Sequence, residues 1–149
     1  MYRVVLDPIV MLRGLLNPHS ICGDLLFEYA DRYRAFFSNA TVTTMCLLIY
    51  HPVVVIAFRQ LIHTNSTQVE RILLRAQCVR IPPGSPSNMF VAVACAAHAD
   101  YVICEDEVIR AKCMEQNIPV LDSRSFLSLL APDRFLPPES EGAGSPHPE

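Results

Sequence analysis

The sequence predicts an α/β domain in which helices cover both faces of a parallel sheet. Short apolar runs that fit buried strands alternate with longer runs that fit helices, most clearly between residues 88 and 130. The chain has 149 residues, of which 51% are hydrophobic and 18% charged. This balance fits one domain with a substantial core. We therefore expect a three-layer α/β/α domain with a central, mainly parallel sheet of four or five strands.

The first half of the chain supplies the first predicted strands. Arg3 to Leu6 form an apolar run that stops at Asp7-Pro8, which predicts a buried strand and then a break. Phe36-Phe37 indicates a second strand, and residues 78–81 a third. The helices predicted in this half cover residues 9–16, 24–33, 42–50, 53–62 and 66–76.

The second half of the chain shows the alternation most regularly. Helices are predicted over residues 88–98, 108–116 and 123–130, and strands over 101–104 and 118–121. From residue 131 onwards the composition changes, because the last 19 residues hold five of the 12 prolines and an excess of acidic residues. The sequence therefore predicts a domain over residues 1–130 and a disordered Pro/Gly/acidic tail over residues 131–149.

The charge distribution and the cysteine spacing argue against several classes of function. The net charge of −3 arises in the tail, since residues 1–130 hold 11 acidic and 11 basic side chains. No strongly basic surface and no DNA-specific motif is evident. The six cysteines form neither a C-x-x-C pair nor a zinc-spaced cluster, so we expect a reduced, cytoplasmic protein.

Residues 35–58 carry no charge and are numerous enough to span a bilayer. Several polar residues near the start and His51-Pro52 in the middle argue against a membrane segment. We favour a buried helix pair, or an apolar surface over Met45–Phe58 that forms a homodimer or docks a partner.

Two acids follow predicted strands, Asp7 after the first and Asp106 after the strand over 101–104. The carboxyl ends of parallel strands meet at one edge of a sheet, so both side chains can face one crevice. Clustered carboxylates repel each other and commonly bind a hard divalent cation. The alternative is that each acid simply caps the helix that follows it.

Several segments, in this order and spacing, resemble the PIN-domain family, in its branch of toxin components of bacterial toxin–antitoxin systems. The segments are RVVLDP (3–8), GLLNP (14–18), Ser38 with the helix after it, ADYVICED (99–106), IPVLD (118–122) and FL (126–127). The resemblance covers residues 2 to about 130. It implies an α/β/α fold, an Mg²⁺- or Mn²⁺-dependent ribonuclease site of three or four carboxylates, and RNA and an antitoxin protein as partners.

Matched residue by residue, the family's acidic site is incomplete in this chain. Asp7 and Asp106 match two metal-binding aspartates, and Ser38 matches a small polar residue beside the site. Uncharged residues stand at the remaining positions, with Ile9 for an asparagine, Thr44 for a glutamate, Ser87 and Asn88 for an aspartate pair, and Val108 for a further acid.

The resemblance thus implies weak Mg²⁺ or Mn²⁺ binding through Asp7 and Asp106, with little or no nuclease activity. Two alternatives remain open. One is an active metal-dependent endoribonuclease that uses these two aspartates. The other is a non-catalytic dimerisation or partner-binding module.

Overall fold

Five short strands lie side by side in one all-parallel sheet, which confirms the predicted α/β class. The structure is a computed structural model that describes residues 1–135, without the side chains of residues 58, 60–66 and 69. In chain order the strands are β1 (Tyr2–Leu6), β2 (Tyr33–Phe37), β3 (Gln77–Cys78), β4 (Tyr101–Ile103) and β5 (Val120–Leu121). Their order across the sheet is β3-β2-β1-β4-β5.

Helices connect the strands and cover both faces, as a parallel sheet requires. The α-helical elements are α1 (Pro8–Leu16), the short α2 (Ile21–Gly23), α3 (Asn39–Ile49), α4 (Pro52–Arg75), α5 (Met89–Ala97), α6 (Glu107–Glu115) and α7 (Ser123–Leu130). One face of the sheet packs against α1, α3, α4 and α7, and the other against α5 and α6. The result is the expected α/β/α arrangement.

Alternation of side chains along the strands divides the core into two clusters. In β1, Val4 and Leu6 join one cluster while Val5 joins the other. In β2, Phe37 belongs to the first cluster and Phe36 to the second. All five side chains are at most 3% exposed, so both faces of the central strands are buried.

Two segments differ from the sequence prediction. Residues 24–33 were expected to form one amphipathic helix, but the chain forms a π-helical turn over Asp24–Glu28, a 3₁₀ turn over Ala30–Arg32, and then β2 from Tyr33. Tyr33 adopts an extended conformation because it pairs with Tyr2 of β1. The two helices expected over 53–62 and 66–76 are one continuous helix, α4, since its backbone hydrogen bonds run on through the polar residues 63–66.

The first residues of the predicted tail fold back on the domain. Pro132–Arg134 form a 3₁₀ turn, and the guanidinium of Arg134 lies 2.6 Å from the carboxylate of Asp24. Ala131 and Phe135 pack against the core, while residues 136–149 of the predicted tail lie outside the described residues. Over the part of the chain that is described, no helix combines the length and the apolar character needed to cross a membrane.

Candidate functional site

The strand order predicts a crevice beyond the carboxyl ends of β1 and β4. These two strands are neighbours, but the chain proceeds outward from them in opposite directions, to β2 and β3 on one side and to β5 on the other. Ligands of open α/β sheets bind at such a reversal point. Asp7 directly follows β1 and donates its backbone N–H to the carbonyl of Ile103 in β4, 3.0 Å away. The pairing of β1 with β4 therefore continues to Asp7, which lies at the carboxyl edge of the sheet.

Asp7 is a buried carboxylate with one oxygen already engaged. The backbone N–H of Ile9 donates to its Oδ1 at 3.2 Å, so Asp7 caps the start of α1. Its Oδ2 is buried, since only 3% of the residue is exposed, and this atom has no hydrogen-bond partner among the described residues. A buried polar atom without a partner is costly and requires an explanation. The capping role accounts for the hydrogen bond to Oδ1 but does not explain why Oδ2 is buried without a partner.

The surroundings of Asp7 raise the pKa of its carboxyl group and so disfavour its ionised form. Burial is the main cause that raises the pKa of Asp7, while the hydrogen bond from Ile9 lowers it. The carboxylates of Asp106 and Glu105 raise the pKa further, and the guanidinium of Arg13 lowers it. Asp7 and Asp106 are therefore close enough for their charges to interact.

Asp106 resembles Asp7 in its local structure but is open to solvent. Its Oδ1 accepts a hydrogen bond of 2.8 Å from the backbone N–H of Val108 and caps α6. The Val108 side chain is 61% exposed. Ile9, two residues after Asp7, is also exposed. Each aspartate is thus followed by an apolar side chain that offers no ligand atom to a cation.

An ion pair between Arg13 of α1 and Glu105 borders the crevice. No local sequence pattern predicts this pair, because 92 residues separate its members and the β1–β4 pairing brings them together. Cys22 lines a hollow of about 400 Å³ together with this pair, and its Sγ is 3.3 Å from the Oγ of Ser123. Burial raises the pKa of Cys22, so this thiol is no ready nucleophile.

The polar atoms of the remaining matched positions serve other contacts within the fold. Ser38 follows β2 and is 3% exposed, and its hydroxyl forms a capping box with Thr41. Thr44 Oγ1 lies 3.2 Å from Met89 Sδ, beside the start of α5. Asn88 caps α5 by accepting from the backbone N–H groups of Phe90 and Val91.

Ser87 is exposed and borders a small hollow of about 110 Å³ between α5 and α6. Lys112 and Glu115 line the same hollow, so a charge of each sign lies nearby. Within residues 1–135, no group of three or more histidine, cysteine, aspartate or glutamate side chains is arranged to hold a metal ion. Asp106 thus lies near enough to influence the pKa of Asp7, and the described residues form no cluster of three potential metal ligands around the two acids.

The raised pKa of Asp7 gives a stability prediction. Between its ordinary value of 3.8 and its raised folded value, the folded chain binds more protons than the unfolded chain, so stability falls as the pH rises through this window. Asp7→Asn retains the cap and cannot ionise. We expect it to raise the free energy of unfolding at pH 7 by about 1 kcal/mol, measured by urea denaturation.

Asp122 provides a control of opposite sign. It caps α7, and hydrogen bonds from the backbone and side chain of Ser125 lower its pKa. Its carboxylate therefore stabilises the fold above the ordinary value of 3.8, and this stability is lost as the pH falls through the lowered folded pKa. Asp122→Asn is expected to be less stable than the wild type at pH 7. A change of the same sign in both variants would contradict the assignment of a raised pKa to Asp7.

Comparison with known proteins assigns no family to this chain. No protein-family model matches it, and no curated protein shows significant similarity.

Proposed function

We propose that this chain is a PIN-like protein of the toxin–antitoxin ribonuclease class, acting in the cytoplasm, whose acidic site is depleted. It binds a divalent cation weakly, cleaves RNA slowly or not at all, and acts by binding RNA or an antitoxin-like protein through the retained fold. The observation that carries this proposal is the unpartnered, buried Oδ2 of Asp7 beside Asp106 at the carboxyl edge of β1 and β4.

The sheet supports the choice of scaffold. In the all-parallel, five-stranded sheet the strand order reverses between β1 and β4, and the two matched aspartates follow these adjacent strands. Ser38 follows β2 and caps α3, and Thr44 in the middle of α3 contacts Met89, next to the α5 cap Asn88. Ser38, Thr44 and Asn88 are the positions at which the resemblance locates the other site residues.

The residues present fit one weakly held Mg²⁺ or Mn²⁺ ion. Asp7 Oδ2 offers a free lone pair in a buried position, and Asp106 supplies a second carboxylate nearby. When bound, such an ion would supply a polarised water for attack on a phosphodiester. Asp7 and Asp106 would be its ligands from this chain, and Arg13 is a cation at the rim that can contact an RNA phosphate.

The missing charges decide how tightly such an ion is held. Magnesium keeps several waters and needs carboxylates to offset the cost of losing the others. Thr44 and Asn88 are neutral, and their polar atoms already serve contacts within the fold. Loss of one part of a catalytic unit forfeits most of its rate, so the absence of two acids predicts very low activity.

The direct test of this function is RNA cleavage in the presence of Mn²⁺. Purified wild-type protein is incubated with end-labelled single-stranded RNA, beside Asp7→Asn and a control variant, Glu115→Gln, which changes an exposed acid at the far end of α6. We expect all three proteins to leave the RNA as intact as a control sample that contains a chelator. The reason is that Asp7 and Asp106 alone do not bind a divalent ion tightly enough for catalysis.

The competing outcome is equally clear. Metal-dependent cleavage by the wild type and by Glu115→Gln, abolished in Asp7→Asn, would establish the active endoribonuclease and overturn the depleted-site proposal.

A second candidate function is dimerisation through the α3–α4 hairpin. Four large apolar side chains are exposed there, namely Leu47, Tyr50, Val53 and Ile56, at 68%, 50%, 67% and 81%. Met45 and Ile49 of the same segment are buried in the core and are not available to a partner. An exposed uncharged surface of this kind is typical of subunit interfaces.

Light scattering coupled to size-exclusion chromatography tests this candidate. We expect a dimer at micromolar concentration, converted to a monomer by Ile56→Glu. The control is Leu74→Glu, since Leu74 is 85% exposed on the last turns of the same helix. A wild-type monomer at all concentrations, or equal effects of the two variants, would rule the hairpin interface out.

A further inference from the structure

A second cavity lies away from the carboxyl edge, between the last turns of α4 and the segment that leads into β2. Its volume is about 270 Å³. Buried side chains of Tyr33, Ala35 and Ile72 form its base. Tyr33 donates its hydroxyl to the carbonyl of Leu25 at 2.9 Å, so this base offers no free phenol to a ligand.

Opposite charges line the two walls of this cavity without meeting. Arg71 and Arg75 lie one helical turn apart on α4, and Glu28 and Asp31 lie on the facing segment. No ion pair among the described residues joins these arginines to any acid. Charges that face each other across a gap are complemented by a ligand that carries both signs.

The two acids differ in how free they are. Glu28 already has the guanidinium of Arg134 at 3.9 Å, which partly neutralises it. Asp31 is exposed and forms no ion pair in the described part of the chain. The cavity thus presents two unpaired guanidiniums against one freer carboxylate.

We propose that this cavity binds a free α-amino acid, with the acidic amino acids favoured. The carboxylates of the ligand pair with Arg71 and Arg75, whose guanidinium groups match carboxylates in geometry and charge. The α-ammonium group faces Asp31, and the carbon chain lies on the Ala35 and Ile72 base. This site is separate from the Asp7 crevice and does not depend on the proposed function.

Binding would connect α4 to the segment before β2. A ligand that binds only the folded chain raises its stability according to the ratio of its concentration to Kd. Thermal unfolding and calorimetric titration with L-glutamate therefore report occupancy directly. Glutarate, which lacks the ammonium group, and L-glutamine, which lacks the second carboxylate, are the matched control ligands.

We expect L-glutamate to bind saturably, and glutarate and L-glutamine to bind at least about tenfold more weakly. Arg71→Gln and Asp31→Asn should each weaken L-glutamate binding by about tenfold or more. Arg80→Gln removes an exposed arginine outside the cavity and should leave binding unchanged. Thermal unfolding without ligand confirms that each variant is folded.

Three results would overturn the proposal. One is the absence of saturable binding by both L-glutamate and L-aspartate at about 10 mM. Another is glutarate binding equal to that of L-glutamate, which would indicate a simple anion site. The third is an equal loss of affinity in Arg71→Gln and Arg80→Gln, which would indicate general charge screening.

Discussion

Replacing Phe126 with alanine is expected to lower the free energy of unfolding by about 4 kcal/mol. Phe126 is fully buried in α7, and its ring centroid lies 5.5 Å from that of Tyr33, 6.0 Å from that of Tyr2 and 6.5 Å from that of Tyr101. These three tyrosines belong to β2, β1 and β4. The truncation therefore removes the contact that joins α7 to the three central strands and leaves a cavity among aromatic rings.

Urea denaturation followed by circular dichroism measures this loss. The control is Leu129→Ala on the same helix, where the side chain is 41% exposed and a change of about 1 kcal/mol or less is expected. If the two substitutions cost the same, Phe126 would not organise the packing of α7 on the sheet.

Restoring acids at two matched positions should increase metal affinity. Thr44→Glu combined with Asn88→Asp adds two negative charges at the start of α5, where Thr44 contacts Met89 and Asn88 forms the cap. Aspartate caps a helix as well as asparagine does, so the fold should tolerate the change. We expect Mn²⁺ to bind at least about tenfold more tightly than to the wild type, because each added carboxylate offsets more of the ion's dehydration.

A matched double variant separates site geometry from total charge. Thr43→Glu with Asn88→Asp adds the same two charges, but Thr43 is exposed on another side of α3, where its hydroxyl bonds to the carbonyl of Asn39. Calorimetry should show a smaller gain for this pair. Equal gains would mean that Thr44 does not face the crevice, and that the matched positions do not form one site.

The strands that the sequence predicts best are those that are buried on both faces of the sheet. The apolar runs of β1 and β4 are buried on both faces, so the sequence alone identified them. The segment over 24–33 was misassigned because Leu25, Leu26 and Tyr29 do have helical spacing and are buried. Its end is set by the pairing of Tyr33 with Tyr2, a contact between distant residues that no local pattern contains.

The same limit applies to the candidate site. Asp7 and Asp106 were recognisable because each follows a predicted strand, and parallel strands share a carboxyl edge. The state of Asp7 was not recognisable, since its unpartnered Oδ2 and its raised pKa depend on burial by the assembled domain. The Arg13–Glu105 pair also depends on the β1–β4 contact across 92 residues.

A titration of the wild-type protein with Mn²⁺, beside Asp7→Asn and Asp106→Asn, tests whether a depleted acidic crevice holds a cation. Our proposal predicts a Kd of about 1 mM for the wild type and no measurable binding to either variant. A wild-type Kd near 1 μM would contradict it, because that affinity requires a complete set of ligands. Binding that survives in both variants would contradict it as well, since the ion would then lie elsewhere.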